Sequence, residues 1–360
     1  MAVSSVTEHL NVPPAARDLT WLRQSLEIAV ALEFSTIPPY LTAWWSIDPS
    51  SADPDSVADT LSSIALEEMG HMGQVCNLLR AIDGGQVLDI RKAAWKPGPL
   101  PGGVHPGLQV KLQGLSLDVI KVFMQIEFPA GGPVVLTPGE LAAAAASGGL
   151  VLGQMGAATI GALYSGILDV FVSLNLPTPY PTTQQTATSV GGFAVKKVTT
   201  LDDVRDAIGR IVRQGEGATG SPDDDTPGEL AHYYRFAELS AGARLKQDAA
   251  GAWGYTGANV QLPTAFPVGP VPENGYQAND IPDPTLRGKI QKFDQTYTAM
   301  VAKLQEAWSG QPNFLGQAVG QMSQLTELAS DIVAIPLPNG SGRHYGPCFR
   351  LVPASPVPQT

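Results

Sequence analysis

Charge is scarce in this sequence. Only 15% of its 360 residues are Asp, Glu, Lys or Arg, against roughly 25% in an average soluble domain. The 22 Lys and Arg are outnumbered by 33 Asp and Glu, the formal net charge is −11, and no basic cluster occurs. Nucleic acids and anionic membrane surfaces both reward clustered Lys and Arg, so neither is expected as a partner. Cysteine is nearly absent too. Cys76 and Cys348 make no disulfide framework, and the first twenty residues lack a basic n-region followed by an apolar h-region, so a cytoplasmic location is expected. Residues 141–168 carry no charge, but they are rich in Ala and Gly, are interrupted at Ser147-Gly148-Gly149 and have no basic flanks. A buried bundle helix fits that stretch better than a membrane span.

What the chain has is apolar content and loop formers. Hydrophobic residues make up 44%, enough for a sizeable core, and 38 Gly with 31 Pro point to long ordered loops around a helical scaffold. A first helix is expected from Asp18 or Thr20, with Leu22, Leu26, Ala29, Val30 and Glu33 on one face and a kink or end at Pro38-Pro39. A carboxylate on an apolar face needs a partner. A second helix should run from about residue 55 to Ile82 and stop at Asp83-Gly84-Gly85. Beyond a Gly/Pro loop with one short strand pairing, a short helix is expected over residues 117–127, a third bundle helix over about 153–174, and a fourth in two parts, 201–213 and about 227–243. The two parts flank a Gly-rich lip at 215–225, and two further helices follow at about 284–308 and 314–334. Residues 15–245 are expected to form the bundle, and 246–360 a loop and two-helix extension packed on it.

Two tetrads carry the chemistry. Glu68-Met-Gly-His71 and Glu229-Leu-Ala-His232 both read Glu-x-x-His within helical patterns. On a helix, residues at i and i+3 lie one turn apart on the same face, so a carboxylate and an imidazole can reach one metal ion. Bundles of the di-iron carboxylate type use two such motifs and a single Glu from each of two other helices, which makes Glu33 a third candidate ligand. Read blandly, either motif alone is a surface hydrogen bond. Glu67, four residues before His71, is a rival to Glu68; the apolar face through Ile64, Glu68, His71 and Val75 favours Glu68 and leaves Glu67 solvated or hydrogen-bonded to an imidazole. Phe34, Tyr40, Trp44, Tyr164, Tyr233 and Tyr234 lie close to these ligands in sequence. Most read as bundle core, with Tyr164 and Tyr233 as the candidate catalytic residues because a buried hydroxyl requires a partner.

In combination, several segments resemble a known family. Leu32-Glu-Phe-Ser-Thr-Ile-Pro-Pro-Tyr40, Ala65-Leu-Glu-Glu-Met-Gly-His-Met72, Gln214-Gly-Glu-Gly217, Glu229-Leu-Ala-His-Tyr-Tyr-Arg-Phe236 and Gly346-Pro-Cys-Phe349 are similar to the ferritin-like domain of iminophenylpyruvate dimer synthases, which belong to violacein- and rebeccamycin-type bisindole pathways. The resemblance implies an all-α core, a ferritin-like four-helix bundle with long loops and extra C-terminal helices. It also implies a metal site with Glu33, Glu68, His71, Glu229 and His232 as ligands and one or two non-haem iron ions, or another divalent metal, as cofactor. One position departs from it. The family's third helix carries Glu in a segment like Ile-Gly-Glu-Phe-Tyr, where this chain has Ile160-Gly-Ala162-Leu-Tyr164. Asp169 lies two turns on, about 10 Å along the axis, too far to substitute. Glu216, on the lip, is the candidate replacement, and the expectation is one tightly held ion, with Glu33, Glu68 and His71 as core ligands and Glu229 or His232 completing the shell, and a weaker second position.

These readings converge on a metal-dependent enzyme that carries out an oxidative or coupling step on a small aromatic or amino-acid-derived molecule in specialised metabolism. The expected partners are that small molecule and a second copy of the chain or a pathway enzyme. A metal-storage or oxidative-stress bundle and a degenerate scaffold without metal are the alternatives, although loops and added helices occupying about half the chain favour a shaped pocket.

Overall fold

A computed structural model describes residues 6–82, 88–146, 159–218, 220–224, 226 and 228–353. A short leading helix, α1 (Val6–Asn11), is pinned to the next one by the Trp21 indole, which donates to His9 O at 3.0 Å. Then comes the longest helix, α2 (Leu19–Trp45), started by Asp18, whose carboxylate accepts from Trp21 N. It continues through Pro38 and Pro39 to Trp45 instead of ending there. Those prolines remove two ladder donors, but Ile37, Pro38, Pro39, Tyr40 and Leu41 are all buried there, and Thr42 Oγ1 donates to Pro38 O at 2.7 Å. Packing on every side holds the helix together where local preference would break it.

The second helix, α3 (Val57–Ile82), begins where both Asp53 carboxylate oxygens accept from backbone, at Val57 N and Ala58 N. Its expected stop at Asp83-Gly84-Gly85 lies outside the described residues. In the loop that follows, Gly98 and Val110 form an isolated antiparallel bridge. Four shorter helices close the bundle: α4 (Leu117–Ile126), α6 (Ile160–Leu174), α7 (Leu201–Glu216) and α8 (His232–Ala241), with a surface helix α5 (Pro138–Ala146) between the first two. The expected beginning of the third bundle helix, residues 153–158, also lies outside the described residues; Thr159 caps the described part by accepting from Ala162 N. Thr200 and Asp203 form a reciprocal capping box at the start of α7. The final pair, α9 (Pro284–Ala307) and α10 (Asn313–Val333), falls within a residue of expectation.

α2 and α3 pack on each other along most of their length. α4 and α6 cover α2, α7 and α8 cover α3, and α4 closes on α8 as α6 does on α7; α9 and α10 pair, with α10 against α2. The core is therefore all helical, and the only described sheets are two small antiparallel hairpins, β1 (Thr188–Val190) with β2 (Phe193–Val195) and β3 (Lys246–Gln247) with β4 (Trp253–Gly254). No described helix is long and apolar enough to cross a membrane.

The first hairpin explains a glycine. Gly70 sits in α3 one residue before His71, and a Cβ there would lie 2.8 Å from Phe193 Cβ. The glycine lets the hairpin lie flat on the helix and brings the Phe193 ring edge-on to His71, 4.9 Å between centroids. Gly70→Ala is expected to destabilise the protein by up to about 2 kcal/mol, the overpacking cost of roughly 1–3 kcal/mol less alanine's advantage of about 1 kcal/mol in a helix. Denaturant titration measures this, and an unchanged midpoint would show that the hairpin moves aside freely.

Candidate metal centre

Five buried side chains meet between the helices. Glu33 comes from the middle of α2, and Glu68 with His71 from adjacent turns of α3. Glu127 is the residue on which α4 ends, just before Phe128-Pro129, and His232 is the first residue of α8. None of the five is more than 5% exposed. Glu68 Oε1 lies 3.3 Å from His71 Nδ1 and 2.9 Å from His232 Nδ1, so one carboxylate oxygen sits between two imidazoles. Glu33 Oε2 approaches His71 Nδ1 at 3.6 Å, and Glu127 Oε2 approaches His232 Nδ1 at 3.8 Å.

The other oxygen of each carboxylate is held by a hydroxyl. Tyr164 donates to Glu33 Oε1, Thr36 to Glu68 Oε2 at 2.8 Å and Tyr40 to Glu127 Oε1 at 2.6 Å. Each imidazole also has an outward partner: His71 Nε2 is 2.7 Å from Gln214 Oε1, and His232 Nε2 is 2.7 Å from Glu67 Oε2. Both outward partners are acceptors, so both Nε2 atoms carry a hydrogen and both Nδ1 atoms face the carboxylates, where each can hold either a second proton or a metal ion. His232 Nδ1 makes no aligned hydrogen bond despite its short approach to Glu68. Five donor atoms therefore converge on one space, where their charge is balanced by protons on the imidazoles or by a bound cation.

The electrostatics favour protons on the imidazoles until a cation displaces them. Burial, reinforced by the Glu68 charge, raises Glu33 to about 7, and the same two causes raise Glu127. Burial works against the charge on Glu68 as well, yet His232 and His71 hold it well below the usual carboxylate range. Burial disfavours a proton on His71, but Glu33 and Glu68 overcome it and lift the imidazole to about 10; Glu127, Glu67 and Glu68 likewise raise His232. Imidazole and carboxylate donors in this mixture suit iron, manganese or zinc rather than an all-oxygen calcium site. The residues fit a metal: Glu33, Glu68 and His71 on one side and Glu68, Glu127 and His232 on the other, with Glu68 shared. One atom each of Glu68, His71 and His232 lie within 4.8 Å of one another.

A family model described as ferritin-like matches residues 26–241, which contain all five of these side chains. The chain belongs to the ferritin-like family. A crystal structure of a ferritin-like protein from Caulobacter vibrioides has a similar fold, with a TM-score of 0.57 at 17% identity over 90% of this chain and 97% of that one. No curated protein matches.

Within this ferritin-like chain, several expected ligands are placed elsewhere. Glu229 is exposed and lies three residues before α8 begins, so Glu229-x-x-His232 forms no helical ligand pair. The reason is local: Gly228 has φ +85°, Glu229 N donates to Thr226 O, and Ala231 N donates to Pro222 O, which holds the backbone at Glu229 out of the helix that begins at His232. Glu216 is mostly buried near Glu127 but spends both oxygens on backbone, accepting from Gly161 N at 2.7 Å and Ala130 N at 2.9 Å. Burial raises it to about 7. Gly161 is required for that approach, since a Cβ would stand 2.4 Å from the carboxylate. Tyr164 touches the cluster through Glu33, whereas Tyr233 donates to Glu140 on α5 and touches none of the five. Asp169 is exposed.

A carboxylate that the sequence reading did not single out, Glu127, lies beside His232. Its signal was present in the sequence: Ile120, Phe123, Met124 and Glu127 repeat at helical spacing, so Glu127 falls on an apolar face as Glu33 does. Glu67 is buried and bonds the imidazole of His232 rather than that of its helical neighbour His71. Gln214 carries no comparable signal.

Two outcomes are expected. Glu127→Gln should weaken divalent-ion binding by roughly tenfold or more, as loss of one donor from a small set does, while Glu229→Ala leaves it unchanged; metal analysis after equilibrium dialysis decides between them. A metal ion and a proton compete for the same Nδ1 lone pair, and His71 holds its proton up to about 10. Affinity should therefore fall as pH drops and rise toward pH 9, with protons released on binding. Calorimetry in buffers of different ionisation enthalpy measures that release, and a pH-independent affinity would contradict it.

Proposed function

We propose that the chain is a non-haem metal-dependent enzyme, with iron the first candidate, performing an oxidative or coupling step on a small aromatic or amino-acid-derived substrate, as the resemblance to iminophenylpyruvate dimer synthases suggests. The observation that carries the reading is the inward turn of both imidazoles onto Glu68 while their Nε2–H groups are bonded outward. In that orientation each imidazole offers Nδ1 to an ion while its Nε2–H is held from behind, as metal-ligating histidines are. When bound, the metal supplies Lewis acidity or redox capacity at neutral pH.

The chain's own residues prepare the site. Burial lifts Tyr40 and Tyr164 well above their ordinary range, so both remain phenols and keep donating to Glu127 and Glu33. With one oxygen of each carboxylate fixed in this way, the other is aimed inward before any ligand arrives, which lowers the reorganisation needed on binding. Tyr164 acts through Glu33, as a positioning residue. Phe34 and Met72, the chain neighbours of Glu33 and His71, line an apolar cavity with Tyr297, Met300, Trp308 and Phe349, and this supports a substrate with an aromatic or aliphatic body.

The test is metal analysis with oxygen-uptake measurements on purified protein supplied with ferrous iron, with and without aromatic amino acids or their imines. The expected result is at most two ions per chain and uptake that depends on the organic molecule. Iron loading far above two with uptake in its absence would replace this reading with storage.

A further inference from the structure

The two halves of the site are built alike except in one respect. In one half Glu33 is held by Tyr164 and approaches His71; in the other Glu127 is held by Tyr40 and approaches His232; Glu68, held by Thr36, serves both. The acceptors behind the imidazoles break this symmetry. His71 donates to the neutral amide oxygen of Gln214, whereas His232 donates to the carboxylate of Glu67. Glu67 is buried, and its Oε2 also accepts from Arg235 Nη1 at 2.8 Å. Arg235 is fixed in turn by Ser63 Oγ and Thr60 O on α3.

We infer that Glu67, tempered by Arg235, makes the two metal positions unequal, so that an ion bound by Glu68, Glu127 and His232 is held more tightly than one bound by Glu33, Glu68 and His71. A carboxylate behind an imidazole draws its Nε2 proton outward and increases the electron density at Nδ1, and changes to such outer partners alter metal affinity by about 10- to 100-fold. An amide has no charge with which to do this. The guanidinium of Arg235 withdraws part of the carboxylate's effect, so Arg235 and Glu67 should act on affinity with opposite signs. The inference rests on the metal-centre reading above and adds an order of filling to it.

Cobalt(II) is the probe, added stepwise to the full chain and followed by calorimetry and by its visible absorption. The unmodified protein should show two steps separated in affinity. Glu67→Gln, which places an amide behind each imidazole, should weaken the tighter step by about 10- to 100-fold and bring the two together. Gln214→Glu should strengthen the weaker step. Arg235→Met should strengthen the tighter step, the opposite sign to Glu67→Gln; a merely structural role for the pair would weaken binding in both. Equal steps in the unmodified protein, or weakening in both Glu67→Gln and Arg235→Met, would overturn the inference while leaving the metal reading intact. No cobalt binding at all would remove both. If Glu67→Gln does not fold, Gln214→Glu and Arg235→Met still decide the matter, since each has a stated direction.

Discussion

Three carboxylates and two imidazoles share one space from which water is almost excluded, and the rest of the bundle is arranged to make that tolerable. Placing a carboxylate in a low-dielectric interior without compensation costs several kcal/mol. Here each has one oxygen satisfied by a hydroxyl and one left facing its neighbours. The uncompensated part is met either by protons on the imidazoles or by a bound cation. Binding energy at such a site is also folding energy, because the unfolded chain does not gather these donors. The length of α2 and α3 follows from the same demand, since two long packed helices provide Glu33, Thr36, Tyr40, Glu67, Glu68 and His71 from a rigid surface.

Half of this arrangement could be read directly from spacing. Glu33, Glu68 and His71 lie on long helices whose apolar repeats are unbroken, so position along the chain translates directly into position on a face. Glu229 followed the same rule and landed elsewhere, because the rule assumes a helix and the chain around Gly228 prefers a turn. His232 reaches the site all the same, since a helix that starts at His232 presents it from its first turn. Glu127 was as legible as Glu33 and was obscured by the Phe128-Pro129 break beside it. The run through Pro38-Pro39 could not be read locally, for it depends on burial from several directions at once.

The resemblance assigned each ligand to a helix, and the structure gathers its five side chains from α2, α3, α4 and α8. Ala162 leaves α6 without an acid near its start, and Gly161 beside it admits the Glu216 carboxylate to the backbone there. That carboxylate joins the end of α7 to the start of α6 and to the chain after α4, a neutral-to-anionic clasp where the N-terminal amides of a helix favour negative charge. Glu127 comes from α4, a short helix whose termination turns its last acid toward the site.

His232 stands at the head of its helix, and this sets where the chain can grow. The turn before it is closed by its own backbone pairs, Ala218 N with Asp223 O, Asp224 N with Glu229 O and Ala231 N with Pro222 O. Lengthening a closed loop is cheap, about 0.6 kcal/mol for each doubling, so relatives could carry extra segments at this tip, or an engineered tag could be inserted there, without disturbing the ligand a few residues downstream.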